Sequence, residues 1–116
     1  MHNLTVAAIQ SEIIWEDIEA NLILFGDKID SIKPEIDIII LPEMFTTGFT
    51  MNTDLAETMD GQTMNWILKK SKEKNACILG SVIIEENGNY FNRMLIAKPD
   101  GSLLTYDKRH LFTFAG

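Results

Sequence analysis

A single cysteine in 116 residues excludes an intrachain disulfide and leaves no cysteine spacing for a metal. Basic residues are also scarce: ten Lys and Arg stand against seventeen Asp and Glu, for a formal charge of −7. That balance argues against nucleic acid and anionic membrane as partners, since both need clustered positive charge. No apolar run approaches the length that spans a bilayer. The opening Met1-His2-Asn3-Leu4-Thr5-Val6 lacks the basic and apolar regions of a secretory leader, and His2 reads as a solvated terminus. The cytoplasm is the expected location. Internal repeats, low-complexity tracts and linkers are missing too. What is present is an apolar fraction of 46%, enough for a packed core and too much for a disordered chain.

The pattern of that apolar content predicts an α/β fold. Leu4 to Gln10 is a compact, partly β-branched run that reads as a buried strand. From Trp15, apolar residues recur at Ile18, Leu22, Phe25, Ile29 and Ile32, steps of three and four that define one helical face, and Pro34 ends it. Ile36 to Leu41 is nearly unbroken β-branched sequence, the pattern of a strand covered on both faces. Residues 42 to 60 show no period and form a long loop, a length usually kept for function. Asp60 is placed to cap a second helix reaching about Asn75, with Met64, Ile67, Leu68 and Ser71 inward. Ala76 to Ile84 is a further strand. Asn87-Gly88 turns it into Tyr90 to Lys98, and Pro99-Asp100-Gly101 turns that into Leu103 to Tyr106. The order β-α-β-α-β-β-β implies a parallel half followed by a hairpin extension. The chain closes on Phe112-Thr113-Phe114-Ala115-Gly116, apolar and without a finishing element, so residues 1–116 are expected to be a single incomplete domain.

Two side chains stand where chemistry is expected. Glu43 follows Pro42 directly after the second strand, and ligands of open α/β sheets gather at the carboxyl ends of strands. From position alone a solvated loop carboxylate is an equal reading. Lys108, after the last strand, lies in the charged stretch Asp107-Lys108-Arg109-His110, and by itself reads as surface. Cys77 falls inside a strand, where a free cysteine behaves as a small hydrophobe, and it is judged structural. Asn21, near the apolar helical face, reads as a polar group tying down neighbouring backbone. Phe45, Phe49 and Met51 are loop residues that can line a substrate pocket, pack under the loop or meet a second subunit. One His and one Asp in residues 106–112 are too few for a metal site, and none is expected.

The ordered frames Leu-Pro-Glu-Met-Phe-Thr-Thr-Gly-Phe (41–49), Tyr-Phe-Asn-Arg (90–93), Pro-Asp-Gly (99–101) and Tyr-Asp-Lys-Arg-His-Leu-Phe (106–112) resemble the nitrilase, or carbon–nitrogen hydrolase, superfamily, and within it the bacterial ω-amidase-like members. The resemblance runs along essentially the whole chain. It implies the N-terminal part of a four-layer α-β-β-α sandwich and hydrolysis of small amides by a Glu-Lys-Cys set. In that set Glu43 would be the general base and Lys108 the group that stabilises the tetrahedral oxyanion. Asn92 and His110 are candidates to line or brace the site; His110 resembles a family position beside the lysine, where a structural hydrogen-bonding role and a catalytic one stay equally open. The family's nucleophile follows the lysine at a strand-to-helix elbow, so the chain is expected to stop before it and to be inactive alone. No cofactor is implied. A small-molecule amide, specifically a 2-oxo dicarboxylic acid monoamide, is the implied substrate, and pairing into a homodimer or larger homo-oligomer the implied assembly. The competing expectations are a non-catalytic α/β module binding a ligand or partner through the 44–60 loop, and another amidase or nitrilase of the same superfamily.

Overall fold

Three β-branched runs separated by two amphipathic stretches form the parallel half of one mixed sheet. The computed structural model describes residues 3–111, so His2 and the apolar end at 112–116 lie outside the described residues. The elements are β1 (Val6–Ala8), α1 (Ile18–Asp30), β2 (Ile38–Ile40), α2 (Gln62–Lys74), β3 (Cys77–Glu86), β4 (Asn89–Ala97) and β5 (Leu103–Leu111). They follow the expected order, with one short 3-10 turn, Thr53–Leu55, inside the long loop. The sheet runs β1-β2-β3-β4-β5, parallel across the first two pairs and antiparallel across the last two.

Because β1, β2 and β3 advance in one direction, right-handed crossovers put both helices on one face. Leu22, Phe25 and Ile29 of α1 and Met64 and Ile67 of α2 pack there against Ile39, Ile78, Val82, Ile84, Leu95 and Ala97. Trp15 belongs to no helix: α1 starts later, where Asp17 accepts a hydrogen bond from the Ala20 N–H at 3.0 Å and caps it. Asp60 does not cap α2. Gly61 holds the N-cap position without a side-chain bond, and the Glu57 carboxylate accepts from the Thr63 backbone N–H at 2.9 Å and from its hydroxyl. Glu57 is available for this because its own backbone bridges to β3, through Ile83 and Glu85.

The opposite face of the sheet is covered near Ser81, Ile83 and Asn92 by the turn after β2, and is open beyond it among the described residues. Register aligns Ile40, Leu79, Ile96 and Leu104 in one row across four strands, with Met94 and Tyr106 beside it. Tyr106 is 64% exposed. β2 is thus covered on one face rather than two: Ile39 is buried against the helices while Ile40 faces outward. Cys77 is half-buried, not buried, because its register partner Ile38 places it on this outward face.

The β3–β4 connection is the expected two-residue hairpin, with Asn87 (φ 54°) and Gly88 (φ 80°) both in the left-handed conformation such turns require. β5 continues five residues beyond the expected Tyr106, to Leu111 opposite Tyr90. Lys108 therefore lies within a strand, not after one. The long partner β4 supplies a ladder for the charged stretch, and pairing overrides its polar composition.

Candidate active site

Glu43 is carried by a turn clamped to the sheet. Leu41 N–H donates to the Leu79 carbonyl at 2.7 Å, Phe45 N–H to the Ser81 carbonyl at 3.2 Å, and Met44 N–H to the Ser81 hydroxyl at 2.9 Å. Met44 pays for this tight geometry with a left-handed backbone (φ 53°), rare for a non-glycine residue. Beneath the turn, the fully buried Phe45 ring packs edge-on to Phe25 at 5.7 Å and against Trp66 at 5.6 Å. Phe45 is thus a core residue and forms no part of the cleft wall; it can influence the site only by anchoring the turn.

Asn21 holds the same turn from the other side. Its side chain is buried, accepts from Ile14 N–H at 2.7 Å, and donates to the Ile14 and Thr46 carbonyls, each at 2.7 Å. One amide from α1 therefore ties the 11–17 segment to the loop bearing Glu43, which is the backbone-tying role read from its position.

Lys108 and Arg109 both reach Glu43 because β5 carries a bulge. Asn92 pairs with Arg109 and Arg93 pairs with Asp107, which leaves Lys108 as the extra residue. A bulge breaks the strict alternation of side chains, so that two consecutive residues approach one face. Lys108 Nζ accordingly lies 2.6 Å from Glu43 Oε1 and Arg109 Nη2 3.6 Å from the same oxygen. Asn92 Nδ2 donates to that oxygen as well, at 2.9 Å, while Asn92 Oδ1 is buried without a hydrogen-bond partner among the described residues. The Glu43 and Lys108 side chains are 29% and 31% exposed. The Lys108 hydrogen bond, helped by Asn92 and by the two cations, holds the Glu43 carboxyl below its ordinary value against a smaller opposing effect of burial. Glu43 is ionised at neutral pH.

A cleft of about 450 Å³ adjoins the carboxylate, walled by Met44, Phe49, Met51, Asn92, Arg109 and His110 among others. Phe49, 66% exposed, and Met51, 79% exposed, form its outer wall, and Asn92 borders it from β4. His110 also borders it, yet its ring packs on Phe91 at 4.5 Å, and its strand position alternates away from Arg109. Cys77 is brought nowhere near. Ile83 faces Asn92 in the ladder, and Cys77 lies six residues further down β3, roughly 20 Å away at about 3.3 Å per residue. Arg109 and the Ser81 hydroxyl were not singled out from the sequence. Arg109 depends on the bulge and Ser81 on a contact 37 residues distant, which no local pattern reveals. Among the described residues no cluster of three or more His, Cys, Asp or Glu suits a metal, and no helix is long and apolar enough to cross a membrane.

A carboxylate at the end of a parallel strand is thus bonded to a lysine from a hairpin strand and to an asparagine between them, a set able to take up and return a proton beside an apolar cleft. Residues 5–116 match the carbon-nitrogen hydrolase family, and the chain belongs to it. It is 40% identical over 116 residues to the omega-amidase YafV of Yersinia enterocolitica, covering all of this chain and 45% of that protein. It is 30% identical over 112 residues to the 2-oxoglutaramate amidase of Bacillus subtilis, covering 93% of this chain and 43% of that one. Among solved structures it resembles XC1258 of Xanthomonas campestris, a CN-hydrolase superfamily protein, with a TM-score of 0.90 and 42% identity over 97% of this chain and 43% of that chain. The fold is accordingly the N-terminal part of the nitrilase-superfamily architecture. The chain spans under half the length of the curated relatives it matches.

Proposed function

We propose that the protein carrying this chain is a hydrolase of ω-amidase type, deamidating the terminal amide of a small 2-oxo dicarboxylic acid monoamide. The observation that carries the reading is the Glu43–Lys108 contact at 2.6 Å, sharing its oxygen with Asn92. The nucleophile is a cysteine outside these 116 residues, because Cys77 is remote from the carboxylate; residues 1–116 are one incomplete domain, inactive alone. A second β-sheet covers the bare apolar row and completes the four layers. The complete protein works in the cytoplasm, as a homodimer or larger homo-oligomer, without metal or cofactor.

In the first step Glu43 takes the thiol proton and the thiolate attacks the amide carbon. Lys108 turns its ammonium to the oxyanion that forms on the carbonyl oxygen. That move has a second effect. Glu43 loses its main stabilising partner, its proton affinity rises, and the proton it has just taken is held on the carboxyl until the departing nitrogen needs it. The protonated Glu43 then donates to the departing nitrogen, the C–N bond breaks, and ammonia leaves a thioester. Water attacks the thioester carbon as Glu43 takes its proton, the C–S bond breaks, and Glu43 returns that proton to the sulfur, which releases the acid and regenerates the thiol and the carboxylate.

Ammonia release by the full-length protein from 2-oxoglutaramate and from neutral terminal amides of equal length tests the reading. Turnover of the oxo acid monoamide is expected. No ammonia from any of these amides would overturn it.

A further inference from the structure

The bulge that aims Lys108 at Glu43 has no local sequence reason to persist. A one-residue slip of the 103–107 segment against β4 would restore regular pairing and put Lys108 opposite Arg93, on the face away from Glu43. What opposes the slip lies on that other face. Arg93 is 6% exposed, and its guanidinium donates twice to Asp107, from Nε to Oδ1 and from Nη2 to Oδ2 at 3.0 Å. It also donates to Glu86 at the end of β3, from Nη1 at 3.0 Å and from Nη2 at 3.3 Å. Its Cζ lies over the Phe91 ring, 5.0 Å from the centroid, and that ring packs on His110 at 4.5 Å. Asp107 immediately precedes the bulged residue, and His110 follows Arg109. One buried guanidinium therefore holds both flanks of the Lys108–Arg109 pair.

We propose that Arg93 is a positioning residue that locks the register of the bulge, so that Lys108 and Arg109 stay on the Glu43 carboxylate. This rests on the reading of Glu43 and Lys108 as base and oxyanion partner. A planar fork suits the task where a lysine would not, because it engages two carboxylates at fixed angles. The groups that face Glu43 are Lys108 and Arg109 from β5 and the Asn92 amide from β4; Arg93 touches none of the reacting atoms.

The test uses the full-length protein with Arg93→Met and Asp107→Asn, assayed for amide hydrolysis well below each variant's unfolding midpoint. Both should lower kcat by roughly tenfold to a hundredfold, as small misplacements of catalytic groups do, with KM changed much less. The acid limb of the kcat/KM profile should also move to higher pH, because a Glu43 carboxyl that has lost Lys108 returns toward its ordinary value. A merely structural arginine would lower the midpoint and leave both kcat and the limb in place, and that result overturns the proposal. If Arg93→Met does not fold, Asp107→Asn decides by the same two readouts, since it is isosteric and its side chain is 37% exposed. Glu43→Gln, run alongside, separates the two ideas. Turnover surviving in Glu43→Gln overturns the base reading and this inference with it. A silent Glu43→Gln beside wild-type Arg93→Met and Asp107→Asn overturns only this inference.

Discussion

Gly80 sits where the sheet meets the turn that carries Glu43, and Gly80→Ala is the sharpest probe of that junction. A Cβ there would lie 2.8 Å from both Cδ1 and Cε1 of Phe45 and 3.2 Å from Leu41 Cβ, against ordinary contacts of 3.4–4 Å. The ring cannot swing aside cheaply. It is wedged between Phe25 and Trp66, and its own backbone is bonded to Ser81, the residue next to Gly80. Inserting one methyl into such a site costs about 1–3 kcal/mol. The displacement must also reach Glu43, two residues before Phe45, so kcat should fall along with stability. Urea unfolding of the full-length variant gives the first quantity and ammonia release the second. Phe45→Leu in the same background should recover part of the loss, a non-additive pair of the kind seen between side chains in contact. A Gly80→Ala protein within about 0.5 kcal/mol of wild type, the scale of an uncoupled surface change, and with full turnover would refute the packing of Phe45 beneath the sheet.

Asn21→Leu should destabilise by about 3 kcal/mol or more, since an orphaned buried polar group costs ~1–3 kcal/mol and Ile14 N–H, Ile14 C=O and Thr46 C=O would all lose their partner; an unchanged urea midpoint would exclude the bridging role. Lys108→Ala should reduce kcat by about 10²–10³ with little change in KM, as expected for a group acting on the oxyanion; a rise in KM alone would make Lys108 a binding residue. The same substitution alters the acid side of stability. Glu43 is depressed when folded, so its stabilisation is complete above the ordinary carboxyl value of 4.5 and disappears as pH falls through the lower folded value. Stability of Lys108→Ala, followed by urea titration from neutral pH downward, should therefore fall less across that acid window than wild type does.

The fold was largely legible because its signals are periodic. The Ile18–Ile29 stripe, the β-branched run at 38–40 and the Asn87-Gly88 turn each encode one element locally. The errors arose where tertiary contacts decide. Glu57 replaced Asp60 as the cap because a bridge to β3 fixed its backbone, and β5 outran its apolar segment because β4 was there to pair with. The site was half legible. The Pro42-Glu43 placement and the frame around Lys108 pointed to the two charged groups, but not to what makes them meet. That depends on a bulge, visible only as a register step between Asn92/Arg109 and Arg93/Asp107, and on a buried arginine whose partners are 7 and 14 residues away. The sequence leaves Phe45 open between lining a pocket, packing under the loop and meeting a second subunit; the close approach of Gly80 shows that it packs under the loop.

Single-turnover and steady-state hydrolysis of an oxo acid monoamide by full-length Glu43→Gln tests the central reading most directly. The amide is isosteric and cannot accept the thiol proton, so kcat should fall by at least ~10²–10⁴, the usual contribution of a general base, with the unfolding midpoint near that of wild type. A folded Glu43→Gln protein that releases ammonia at close to the wild-type rate would remove Glu43 from the base role.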